Sequence, residues 1–130
     1  MDVDRIAGEL LKQHLQGQRF GLLPEIATLP SAYDVQDALI RLLAAEGGGA
    51  VAGYKIGLTT TRMQAMCGIG EPIAGVVLST RLHRSPARVA ARAHGRLGVE
   101  SELAFRIDRT PLPGASATEL WSCVGAVAAA

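Results

Sequence analysis

The chain has 130 residues, 48% of them apolar and 19% charged, with a formal net charge of +1. That length and apolar share suit one globular domain spanning 1–130 and exclude a disordered chain, while near-neutrality excludes a general attraction to nucleic acid or membrane. No apolar run reaches the roughly 18 residues of a spanning helix, and the acidic start Met1-Asp2-Val3-Asp4 shows no secretory signal. Cys67 and Cys123 form neither a disulfide framework nor a C-x-x-C pair, so a reducing cytoplasm is the expected compartment. Eleven of the thirteen cations are arginine, always protonated; only Lys12 and Lys55 could shift their pKa and move a proton.

In chain order, Ile6, Leu10, Leu11 and Leu15 recur at helical spacing and predict a helix over 4–16, ended by Gly17. Residues 21–30 read as a connector. Ser31, with Asp34 three residues on, predicts the cap of a second helix whose stripe is Val35, Ala38, Leu39, Leu42 and Leu43. Gly47-Gly48-Gly49 ends it. A triple glycine can cradle phosphate, but this one precedes a strand and reads as a turn.

Residues 50–58 predict a strand in which Lys55 and Gly57 face away from Tyr54 and Ile56. Gly53 and Gly57 leave bare backbone on either side of Lys55, so a bulky group could approach it. A short helix over 59–67, capped by a threonine, carries Met63 and Met66 on one side, with Cys67 expected to pack as a small hydrophobe. Residues 73–78 predict a second strand. The stretch 81–98 holds Arg81, Arg84, Arg88, Arg92 and Arg96 without an acid, and Pro86 prevents one continuous helix. It reads as a solvated loop. Its rival reading is a polyanion-binding module, though no aromatic stacks among the arginines. His83 and His94 have no third partner for zinc.

Val99, Leu103, Phe105 and Ile107 predict a strand over 99–107, with Glu100, Glu102 and Ala104 on its other face. After a Pro111-x-Pro113-Gly114 turn, Ser116 with Glu119 predicts a capped helix over 116–130. That helix would stop inside an apolar run, so the chain reads as the N-terminal part of something longer. The order of elements gives an α+β domain without the regular alternation of a doubly wound sheet.

The pair Glu100 and Glu102 carries the chemistry. Two carboxylates on one strand face repel each other, and a hard divalent cation such as Mg²⁺ or Mn²⁺ would reverse that penalty. An exposed face bearing two solvated acids is the plainer alternative.

Three segments together resemble the 2-keto-4-pentenoate hydratases of the fumarylacetoacetate-hydrolase-like enzymes. They are Ala32-Tyr33-Asp34-Val35-Gln36, Gly53-Tyr54-Lys55-Ile56-Gly57-Leu58-Thr59, and Val99-Glu100-Ser101-Glu102-Leu103-Ala104-Phe105. The stretch Gly68-Ile69-Gly70-Glu71-Pro72-Ile73-Ala74-Gly75-Val76 is also similar to that family's. The resemblance implies the N-terminal α/β part of a fumarylacetoacetase-like fold, truncated before most of its mixed β-roll. It implies a cytoplasmic hydro-lyase of aromatic meta-cleavage catabolism, converting 2-hydroxypenta-2,4-dienoate to 4-hydroxy-2-oxopentanoate with Mg²⁺ or Mn²⁺. Related members decarboxylate 4-oxalocrotonate or hydrolyse C–C bonds.

By that resemblance Glu100 and Glu102 are metal ligands and Lys55 is the active-site lysine that binds substrate or shuttles a proton. The structural alternative for Lys55 is an ion pair with one of those glutamates. Ser79 could hold a water for the substrate, or merely cap a strand end. Two departures stand out: the third acidic ligand is expected after residue 130, and Ser79-Thr80 replace an acidic pair. A homo-oligomer is expected, and association with a related decarboxylase or hydratase is implied. By itself, the 130-residue chain is expected to be an inactive fragment.

Overall fold

The computed structural model describes residues 1–93 and 97–130. The order of elements is α1 (Val3–Leu15), α2 (Leu29–Leu43), β1 (Val51–Gly57), α3 (Thr61–Cys67), β2 (Ile73–Leu78), β3 (Leu103–Ile107), α4 (Ala117–Cys123) and β4 (Val124–Ala129). This is an α+β arrangement of two antiparallel two-stranded sheets, β1 with β2 and β3 with β4. By its internal contacts, the chain divides into two units, Met1–Gly95 and Arg96–Ala130. Among the described residues, no helix is long and apolar enough to cross a membrane.

In the first unit, α1 and α2 pack through Ile6, Leu10 and Val35, with Leu23, Ile26 and Leu39 partly buried against them. Buried Ala7 and Ala38 are small enough to let the helices approach closely. Asp2 caps α1 by accepting from Arg5 N–H at 3.0 Å, and Gly17 follows the helix with φ +66°.

The start of α2 differs from expectation. Thr28, not Ser31, is the N-cap, because Pro30 is tolerated in the first turn, where its missing N–H costs nothing. Ser31 becomes the reciprocal partner: its N–H donates to Thr28 Oγ1 at 3.3 Å, and Thr28 N–H donates to Ser31 Oγ at 3.3 Å.

Each glycine of the triple has a separate reason. Gly47 and Gly49 have φ of +91° and +79°, backbone that side chains with a Cβ rarely adopt. A Cβ on Gly48 would lie 2.6 Å from the Leu43 carbonyl, and one on Gly49 would strike Ser79 Oγ. Thr80 Oγ1 donates to Gly48 C=O at 2.7 Å, tying the turn to the end of β2.

Between a 3-10 turn at Ser79–Arg81 and another at Ala91–Ala93 the chain has no regular structure, and Arg84 and Arg88 are exposed. His94 and Arg96 of the arginine-rich stretch lie outside the described residues. Cys67 corrects the expectation that it packs as a small hydrophobe. It is exposed, because α3 buries no residue of its own; Cys123 is the buried cysteine.

The second unit overturns the expected helix over 116–130. The helix stops at Cys123, and Val124–Ala129 forms β4 against β3. Gly125 and β-branched Val124 and Val127 favour helix weakly, whereas β3 offers a row of backbone groups that need partners. Strand β3 is also shorter than expected. Residues 97–102 carry no strand assignment, although Glu102 still exchanges both backbone hydrogen bonds with Ala130, at 2.8 and 2.9 Å.

The cap of α4 matches its sequence signature. Glu119 Oε2 accepts from Ser116 N–H at 2.7 Å, and Ser116 Oγ accepts from Glu119 N–H at 3.4 Å. Hydrogen bonds from the Ser116 hydroxyl and backbone N–H hold the Glu119 carboxyl below the ordinary glutamate value of 4.5. A depressed carboxyl pKa stabilises the folded state above the unfolded value and ceases to do so as pH falls through the folded one. The helical circular dichroism of α4 is therefore expected to weaken progressively once pH drops under about 4.5. Glu119→Gln should remove that acid-dependent step.

Candidate active site

Lys55 and Ser79 belong to the first unit, Glu100 and Glu102 to the second. Lys55 sits in the middle of β1, directly opposite Gly75 of β2. One extra residue decides what surrounds it. The register passes from Val51↔Leu78 to Gly53↔Val77, so Ala52 is inserted as a β-bulge.

Directly opposed residues share a face, so the bulge moves Val51 onto the side of Tyr54 and Ile56, with Ala74, Val76 and Leu78 across from them. Without it, Val51 would lie on the Lys55 side. The opposite face carries Gly53, Lys55 and Gly57 against Val77, Gly75 and Ile73. Tyr54 on the apolar face is 71% exposed.

Strand β2 is held from its outer side by α2. Ala74 N–H donates to Tyr33 Oη at 3.0 Å, and Gln36 Nε2 donates to Ala74 C=O at 3.4 Å. Two side chains one helical turn apart thus take the place of a third strand beside the residue that precedes Gly75. The resemblance drew attention to Tyr33 and Gln36; the structure supplies their physical task.

Leu58, directly after β1, has φ +54°, a left-handed conformation unfavourable for a residue with a Cβ. Gln64 Nε2 donates to the Leu58 carbonyl at 2.8 Å and helps hold it there. Nothing in the residue types announces this strained turn, since leucine favours other conformations.

Ser79 lies four residues beyond Gly75, about 13 Å along the strand, in the short turn packed on Gly49. Next to it a cavity of about 540 Å³ is lined by His14, Leu43, Glu46, Gly48, Thr80 and Arg81 among others. A second, of about 460 Å³, lies between Arg109, the Pro111–Pro113 turn and α4. Neither is lined by Lys55, Glu100 or Glu102.

In the second unit, alternation along β3 puts Leu103, Phe105 and Ile107 on one face, where Phe105 meets Trp121 edge to face at 5.8 Å. Ala104 and Arg106 take the other face, and Glu102 continues it. Arg106 forms a two-pronged pair with Asp108, at 2.7 and 3.0 Å. That pairing lowers the Asp108 carboxyl pKa and raises that of Arg106. Asp108 finds room because the residue beside it is glycine: a Cβ on Gly125 would strike its carboxylate. The same Gly125 is the bulge residue of β4, where the register steps from Arg106↔Ala126 to Ile107↔Val124.

Among the described residues there is no cluster of three or more His, Cys, Asp and Glu side chains that could hold a metal ion. Glu100 and Glu102 are a pair of hard oxygen donors, a set suited to Mg²⁺ or Mn²⁺ and not to softer metals. A six-coordinate cation would draw its remaining oxygens from elsewhere. Strand β4 contains only Val, Gly and Ala and offers no acid.

No protein-family profile matches the chain. Among curated proteins, it is 38% identical over 95 residues to 2-oxo-hept-4-ene-1,7-dioate hydratase of Escherichia coli. The match takes in 73% of this chain and 34% of that relative, so the chain spans about a third of the length of the protein it matches.

If Tyr33 and Gln36 close the outer edge of β2, removing the phenol oxygen strands a partly buried N–H. Tyr33→Phe is expected to lower stability by about 1–2 kcal/mol. The measurement is the urea midpoint at unchanged slope, and an unaltered midpoint would show that water satisfies Ala74 equally well.

Proposed function

We propose that the complete protein carrying this chain is a divalent-metal-dependent hydro-lyase of the fumarylacetoacetate-hydrolase-like group, acting on a small 2-oxo or 2-hydroxydienoic acid. The 38% identity to a hydratase carries this reading. It is supported by an ammonium group set among glycines on β1, and by two oxygen donors two residues apart in the segment just before β3.

In this reading Glu100 and Glu102 hold Mg²⁺ or Mn²⁺, with a third acidic ligand supplied from outside residues 1–130. When bound, the cation would supply Lewis acidity to the oxygens of a 2-oxo acid, where negative charge stands in the enolate. Lys55 either binds the substrate carboxylate or shuttles a proton; the far carbon is protonated, and water then adds to the conjugated ketone. Ser79 holds a water, though its place about 13 Å along the strand from Gly75 makes a turn-stabilising task the simpler one. A homo-oligomer, and association with a related decarboxylase, belong to the same proposal and would cover exposed apolar faces such as that of Tyr54 and Ile56.

Two substrates compete within the class. The resemblance of the motifs points to the five-carbon 2-hydroxypenta-2,4-dienoate. The matched relative is named for a seven-carbon dioate, which favours a substrate with a second carboxylate. Turnover of both acids by the complete gene product with Mn²⁺ tests the reading directly, and inertness toward both would defeat it. In that protein, Glu100→Gln and Glu102→Gln should each lower kcat/KM by about a thousandfold or more, equivalent to about 4 kcal/mol of lost transition-state stabilisation. Each should also weaken Mn²⁺ binding followed by electron paramagnetic resonance.

A further inference from the structure

The geometry points to Gly53 and Gly75 as the floor of the substrate site, two residues that set how large an acid can lie beside Lys55. This rests on the hydro-lyase reading and goes further by assigning size selection to named backbone positions. Three observations carry it.

The first is the register. Lys55 has Gly53 and Gly57 two residues away on its own strand and Gly75 directly across. Its neighbours on that face of the hairpin are therefore bare backbone in three directions, and Val77 and Ile73 stand at the two ends. The bulge at Ala52 keeps Val51 off this face, so no larger side chain of β1 intrudes.

The second is that the glycines are not needed for packing here. A Cβ built on Gly53 or Gly75 meets no heavy atom within 4 Å, and one on Gly57 meets Ile73 at an ordinary 3.6 Å. Neither Gly53 nor Gly75 has a positive φ. Glycine inside a strand weakens it relative to a residue with a side chain. Two glycines with neither a steric nor a conformational reason, on either side of one lysine, indicate that the open space above them is used.

The third is chemical fit. A conjugated 2-oxo acid is flat, and peptide planes without Cβ atoms let its plane approach to van der Waals contact. The lysine supplies the charge for a carboxylate, and Val77 and Ile73, about 13 Å apart along β2, bound the bare backbone on the same face. A methyl group added at Gly75 would fill the space the acid occupies.

The test uses the complete gene product and the variants Gly53→Ala, Gly75→Ala and Gly75→Val. The measurements are Tm, steady-state kinetics with a seven-carbon 2-oxo dioate, and calorimetric binding of oxalate, a two-carbon probe. Expected for Gly53→Ala and Gly75→Ala is a Tm equal to the parent's or a few degrees above it, since an added Cβ displaces nothing and alanine loses less chain entropy than glycine in a strand. KM for the dioate should rise about tenfold at Gly75→Ala and further at Gly75→Val, with a smaller loss of oxalate affinity.

Unchanged KM in all three variants would overturn the assignment. So would a large fall in Tm, which would mean that protein, not ligand, packs on the glycines. A parent that binds oxalate but turns over no 2-oxo acid would defeat the hydro-lyase reading, while graded loss of oxalate binding in the variants would still uphold the floor. A parent that neither binds nor turns over either compound would defeat both.

Discussion

The extra residue at Ala52 is the constraint on which the first unit's surface chemistry depends. A strand has a side-chain period of two, so a single inserted residue exchanges faces for everything before it. In β1 that exchange gathers Val51, Tyr54 and Ile56 on one side and leaves Lys55 between glycines on the other. A hairpin of two strands has little stability by itself. The bulged pair is tied down at both ends, by Tyr33 and Gln36 at Ala74 and by Thr80 and Ser79 on the triple-glycine turn. Leu78 at the end of β2 is buried as well, while Tyr54 and Ile56 remain open to solvent.

The second unit repeats the device on a smaller scale. Gly125 is at once the bulge of β4 and the space into which Asp108 fits, and Asp108 in turn takes up both prongs of Arg106. Arg106 follows Glu102 and Ala104 on the same face of β3. With its guanidinium engaged by Asp108, that cation is directed along its own strand end. The contrast with Lys55 is one of chemistry. Arginine forms a fixed charge fork, suited to structure, whereas lysine carries a compact point charge on a flexible stem.

Much of the local structure was legible in advance because it follows from short-range rules. Helical spacing in α1 and α2, the Ser116–Glu119 box and the β-branched run of β2 all lie where those rules put them. The errors fell where two rules compete. Pro30 reads as a stop signal but also fits a first helical turn, so Thr28 rather than Ser31 became the cap. Val124 to Ala129 reads as a continuation of α4, and only the presence of an unpaired β3 turns it into a strand. Cys67 and Leu58 show the same limit: exposure and a left-handed backbone are properties of the surroundings, not of the residue type.

By itself, the sequence determined which chemical groups are present and roughly where each lies along the chain. There is one strand lysine flanked by glycines, and a pair of carboxylates two residues apart next to alternating apolar positions. Only the tertiary structure decided that Gly75 lies across from Lys55 and that Val51 is turned away from it. It also decided that Ala74 is held by α2 and that Glu102 pairs with Ala130. The physical reason is that periodicity specifies which side a residue takes relative to its neighbours in the chain. The register between strands depends on bulges and edge contacts that bring distant residues together.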